Sequence, residues 1–152
     1  MNKKKLQIEQ LESRIKRFSR ARELPNPPTG WVRAVRLALG MSMQQLANKL
    51  AVTKQSVQSI ETREKEGSIT LRSLRETARA LDMDFVYGFV PKDGSIENYI
   101  DKKARSMATK IVSRTSDTMK LEAQGNSTER LNKAIEERTR TIKQELPKAL
   151  WD

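Results

Sequence analysis

Cysteine and histidine are both missing from this chain of 152 residues. Without cysteine there is no disulfide and no thiolate metal site, and without histidine the commonest general base and metal ligand are gone as well. Most hydrolytic and metal-dependent chemistries are thereby excluded. Catalysis by carboxylates alone needs an acidic pair in an apolar setting that raises a pKa, and the sequence offers none. We read no enzyme here: no catalytic residue, no cofactor and no metal site. Glycine and proline are scarce, at six and five, and aromatic residues make up 5%, a balance that suits a mostly helical, well-solvated protein. Long apolar runs are also absent, so no segment is expected to span a membrane. The opening "MNKKKLQIEQLES" has positive charges with no apolar run behind them, which is not a secretory signal. A cytoplasmic location is expected.

What the chain has in excess is positive charge. A net +11 and a pI near 10.1 make an anionic partner more probable than a neutral one, with nucleic acid first. The excess sits in the front half. Residues 1–28 carry eight Lys/Arg against three acids, residues 29–82 nine against five, and residues 83–152 thirteen against eleven.

Punctuation divides the chain. Leu6 to Arg22 reads as a helix, with Leu11, Ile15 and Phe18 on one side and Arg14, Lys16, Arg17 and Arg20 mostly around it. The prolines of "ELPNPPTG" end that helix and form a fairly stiff linker, so residues 1–28 are a basic helical arm. Residues 29–82 then read as four short helices. Thr29 can cap the first, with Trp31, Val32, Val35 and Leu39 inward and Gly40 just past its end. Ser42 can cap the second, with Leu46, Ala47 and Leu50 buried. Thr53 can cap the third, to about Thr62, and Thr70 the fourth, with Leu71, Leu74, Ala78 and Leu81 inward. Residues 83–91, "MDFVYGFVP", alternate β-formers and predict a short strand in need of a partner, from a dimer or from the arm. In 92–152, Ile96, Ile100, Met107 and Ile111 repeat at helical steps, as do Leu131, Ile135, Ile142 and Leu146. "GNSTE" lies between, with Asn126 and Glu129 spaced as a capping box, and predicts an antiparallel hairpin serving dimerisation or partner binding.

The pattern Ser42-x-x-Gln45-Leu46-Ala47, Val52-Thr53, Val57-x-x-Ile60-Glu61 has a physical logic. Ala47 is small where two helices cross, Val52 plugs the turn, and Val57 and Ile60 anchor the third helix so that it projects as a rod. These residues resemble the helix-turn-helix of phage-repressor and Cro-like regulators. That resemblance implies that the third helix lies in the major groove of double-stranded DNA with its N-terminal residues, Thr53 to Ser59, at the base edges. With Val57 inward and about 100° per residue, Gln55, Gln58, Ser59 and Thr62 fall on the far side and Lys54 on the flank. Glutamine suits adenine, lysine donates to guanine and serine suits several bases, so Lys54, Gln55, Gln58 and Ser59 are the candidate base readers. Phosphate contacts are expected at the N-terminal ends of the second and third helices, from Gln44, Gln45, Thr53, Arg36 and Arg63. Two positions depart from the family. Met43 stands where glutamine is frequent, and Ala51 replaces the usual turn glycine, at a cost of roughly 1 kcal/mol if its φ is positive.

Taken together, "GWVRAVRLALGMSMQQLA", "FVYGFVP", "DTMKLEAQ" and the terminal "LWD" resemble the bacterial family called mobile mystery protein A. That resemblance implies a partner, mobile mystery protein B, with a Fic-type domain, and a role as regulator or antitoxin of a two-gene module. Some Fic antitoxins block the enzyme with a Ser/Thr-x-x-x-Glu-Gly/Asn helix, a pattern that Thr62, Glu66 and Gly67 fit at the end of the DNA-reading helix. The hairpin is the alternative grip on such a partner. The fold expected is therefore mostly α: a Cro/repressor-like helix-turn-helix domain with a short β-strand, an N-terminal helical arm and a C-terminal helical hairpin. The function expected is that of a sequence-specific DNA-binding regulator and autorepressor, homodimeric, and antitoxin of a Fic module. Direct protein antitoxin action and non-specific architectural DNA binding through residues 3–22 are the alternatives.

Overall fold

The computed structural model describes residues 3–122 and 128–152, the side chains of 116–122 excepted. It divides into two compact units, Glu23–Gly88 and a second made of the chain up to Arg22 together with Phe89–Asp152. The fold is mostly α, as the sequence predicts.

In Glu23–Gly88 four helices follow one another: α2 (Trp31–Ala38), α3 (Met43–Leu50), α4 (Lys54–Glu66) and α5 (Leu71–Ala80), after α1 (Lys3–Phe18) of the other unit. They have 8 to 13 residues, too few for a helix to persist alone in water. Two things compensate. The first is capping: the Ser42, Thr53 and Thr70 hydroxyls each accept from the backbone N–H three residues on, at 3.1 Å. At Ser42 the box is complete, because Gln45 Oε1 accepts from the Ser42 N–H at 2.8 Å. The second is a core of Val32, Leu46, Ala47, Val57 and Leu81, flanked by half-buried Val35, Leu50, Ile60 and Leu74. Ala47 is wholly buried, as expected of a small residue where helices cross.

Several expectations are corrected. Thr29 does not cap α2. Gly30 occupies that position with φ 88°, and the cap comes from Glu64 of α4, whose carboxylate accepts from the N–H groups of Trp31 and Val32 at 2.8 Å each. Trp31 and Leu39 are exposed rather than inward: Trp31 precedes Val32 and is turned about 100° from it, while Leu39 continues the line of Val32, Val35 and Arg36 but is the C-cap, beyond the last turn of α2. Leu71 and Val52 also keep exposure, so Val52 only partly closes the turn. Residues 83–91 carry no strand. The chain there is without regular secondary structure, since a strand exists only against a backbone partner and none is presented among the described residues.

α1 gives way over its last expected turn to a 3-10 helix, Ser19–Glu23, whose last residue opens the Glu23–Gly88 unit; in the other unit the hairpin follows. α6 (Ile96–Glu122) and α7 (Thr128–Glu145) form the hairpin. Pairings of Asp101 with Lys143 at 3.2 Å and of Arg105 with Glu136 run in opposite directions along the two helices, which makes them antiparallel. The apolar cluster between them is Ala104, Ala108, Ile142 and Leu150, with Met107, Ile111, Ile135 and Leu146 beside them, so Met107 and Ile111 of one predicted stripe and Ile135, Ile142 and Leu146 of the other do meet. Leu150 comes from a final 3-10 turn, Lys148–Trp151. Glu12 of α1 caps α6, accepting from the Ile96 and Glu97 N–H groups at 3.1 and 3.2 Å. The hydrogen bond to Glu136, with Asp101 alongside, holds the Arg105 guanidinium above its ordinary pKa. The expected capping box at Asn126 lies outside the described residues.

Candidate nucleic-acid interface

α4 is held from one side. Val57 is fully buried and Glu61 nearly so, one turn apart on the same face. An unpaired carboxylate there would be costly, and Arg36 of α2 answers it: Nη2 donates to Glu61 Oε1 at 2.8 Å and Nε to the same oxygen at 3.1 Å. The remaining arm of the guanidinium donates from Nη1 to the Met41 carbonyl at 2.9 Å. Both partners are 5% exposed. One turn further, Glu64 makes the cap on α2 already described. The second half of α4 is thus tied to α2 by two carboxylates, one paired with a guanidinium and one with a helix N-terminus.

The opposite face is open. Lys54, Gln55 and Gln58 are exposed and Ser59 is half-buried, so the four candidate readers lie together on the first two turns of α4, Ser59 the least accessible. The side chains of Lys54, Gln55 and Gln58 have no hydrogen-bond partner among the described residues. Thr62 continues the row, its hydroxyl donating to the Gln58 carbonyl at 2.9 Å.

The phosphate candidates are spread differently. Thr53 is exposed at the start of α4, with Oγ1 accepting from Ser56 N–H. Gln44 is exposed in the first turn of α3, its amide donating to Asn48 at 2.9 Å, and Gln45 has its carbonyl oxygen in the capping box. Arg63 is exposed near the far end of α4. Arg36 is corrected: it is buried in the ion pair with Glu61 and does not reach the surface. The sequence held a signal for this, since Arg36 lies four residues from inward Val32 and Glu61 four from inward Val57, an opposite-sign pair on two buried faces. Glu64 was missed for the opposite reason. Its partners are backbone N–H groups more than thirty residues away, which no local spacing marks.

The joint before α4 turns on Ala51 in the left-handed region, φ 55° and ψ 42°. The Val52 N–H donates back to the Ala47 carbonyl at 3.0 Å, closing the end of α3. Alanine there carries about 1 kcal/mol of strain relative to glycine. Thr62 and Glu66 are exposed on the last turns of α4, and Gly67 is its left-handed C-cap at φ 83°, so these residues belong to the same helix as Lys54, Gln55 and Gln58. Among the described residues no acidic group of three or more could hold a metal, and no helix is long and apolar enough to cross a membrane.

Residues 32–87 match the model of the helix-turn-helix family. They take in α2 but for its first residue, α3, α4, α5 and the first part of the irregular segment that follows. The matched segment is a helix-turn-helix domain of the Cro and phage-repressor type, which supports a DNA-binding role for it. No curated protein and no solved structure matches the chain.

Proposed function

We propose that the chain is a sequence-specific transcriptional regulator that binds an inverted repeat as a homodimer, with α4 in the major groove. The observation that supports this reading is the two-sidedness of α4. Its inner face is anchored by Val57, Glu61 and Glu64, while its outer face presents Lys54, Gln55, Gln58 and, at its edge, Ser59. Side chains with no internal partner at the N-terminal end of a rigidly held helix are free to meet base edges. Thr53, Gln44, Gln45 and Arg63 flank them as the phosphate contacts, and the net charge of +11 favours approach to a polyanion.

A fluorescence anisotropy titration with DNA from upstream of the chain's own gene tests this. Affinity should fall steeply with salt and should exceed that for a scrambled duplex. Gln55→Ala should remove about 1–3 kcal/mol of discrimination between duplexes while leaving the fold intact. Equal affinity for promoter and scrambled DNA overturns the reading in favour of architectural binding through the basic residues of 3–22.

Autorepression and an antitoxin role toward a Fic-domain partner, gripped by residues 92–152, are the finer parts of the proposal. They rest on the sequence resemblance alone. The full chain should capture the product of the neighbouring gene on co-expression, and failure to do so removes the antitoxin role without touching DNA binding.

A further inference from the structure

The chain after α5 has the composition of a strand, and its backbone pairs with none among the described residues. From Asp84 to Val90 no backbone N–H donates and no carbonyl accepts a hydrogen bond among the described residues. Yet the composition is that of a half-buried strand, with Phe85, Tyr87 and Phe89 alternating with Val86, Gly88 and Val90. Phe85 and Tyr87, two residues apart, stack on one side with 5.7 Å between ring centroids, as same-face neighbours of a strand would. The Arg75 guanidinium lies 5.5 Å from the Tyr87 ring, so α5 attends to that side. Val86 is 72% exposed and Phe89 88%. Leaving large β-forming side chains and an unpaired edge in water is a template for strand addition.

We propose that Val86–Val90 pairs antiparallel with the same segment of a second copy of the chain, with Asp84 and Lys92 meeting just beyond its ends. This rests on the homodimeric reading above and gives that dimer its surface. The segment is complementary to itself. Centred on Gly88, antiparallel pairing sets Tyr87 opposite Phe89 of the second copy and Val86 opposite its Val90. It also sets Asp84 opposite Lys92 of the second copy, at both ends at once, and both residues are exposed. Among the residues of this stretch, only that register gives Asp84 a cation. Gly88 at the two-fold axis has no side chain to collide where the strands cross. The free backbone also ends at the right place: Pro91 has no N–H, and Arg22 donates to the carbonyls of Pro91 and Lys92 at 2.9 and 3.0 Å. Such a contact is closed and isologous, which limits it to two copies.

Sedimentation equilibrium of the full chain without DNA, over a wide range of concentration, tests this. The wild-type chain should form a concentration-dependent dimer. Val86→Pro, which removes a ladder donor from a non-helical segment, should weaken it by at least about tenfold with helical circular dichroism unchanged. Asp84→Lys should weaken it as well, and adding Lys92→Asp should restore it. A dimer indifferent to Val86→Pro and Asp84→Lys overturns this surface while leaving the dimeric reading in place. A chain that stays monomeric overturns both, and the promoter titration then reads DNA binding separately.

Discussion

The two units stabilise helices by opposite means. In Glu23–Gly88 the helices are short, their ends are capped by side chains, and two carboxylates of α4 are drawn into precise polar contacts with α2. In the other unit α6 and α7 run 27 and 18 residues and meet along a stripe in which Ala104 and Ala108 allow close approach, while the ion pairs between them stay near solvent. The difference teaches where each part can tolerate change. A long apolar seam spreads its stability over many weak contacts, whereas a small domain that must aim one helix concentrates it in a few geometrically exacting ones.

The sharpest way to break this comparison is Arg36→Ala. It leaves Glu61 charged and buried without a partner, and should cost about 3–5 kcal/mol in urea unfolding, with amide protection lost across Glu23–Gly88. Replacing both partners together, Arg36→Met with Glu61→Leu, should recover most of that. A single substitution costing less than about 1 kcal/mol would show that the polar contacts do not bear the domain. Next in size, Ala104→Leu forces a larger side chain into a fully buried position of the hairpin and should cost about 1–3 kcal/mol, read by the same unfolding experiment and without change in base preference. Glu64→Ala removes the cap on α2, at about 0.5–2 kcal/mol. Gly30→Ala should act on the same contact, since a Cβ there would lie 2.9 Å from the Glu64 carboxylate and the backbone holds φ at 88°. Smallest of all, Glu136→Ala breaks the exposed pair with Arg105 and should move stability by less than about 1 kcal/mol, less still in high salt.

How much of this was legible in the sequence follows from the range of each interaction. The caps at Ser42, Thr53 and Thr70 are local and were readable three residues at a time, as were the buried Leu46, Ala47 and Val57 and the facing stripes of the hairpin. What could not be read was set at a distance. Glu64 displaced Thr29 as the cap of α2, Glu61 drew Arg36 inward from its expected place at the phosphates, and Glu12 reached from α1 to the start of α6. The strand expected at 83–91 failed for a related reason. Alternation reports what a backbone would do beside a partner, and the described residues supply none for it.

The separation of the two faces of α4 has a consequence for how such a protein can change over time. Everything that fixes the helix in place, Val57, Glu61 and Glu64, points one way, and the exposed side chains of Lys54, Gln55 and Gln58 owe nothing to the fold. Those three positions can therefore be exchanged with little penalty in folding. If α4 reads DNA as proposed, a descendant of this chain could acquire a new operator by point substitution alone, its scaffold indifferent to the sequence it is asked to recognise.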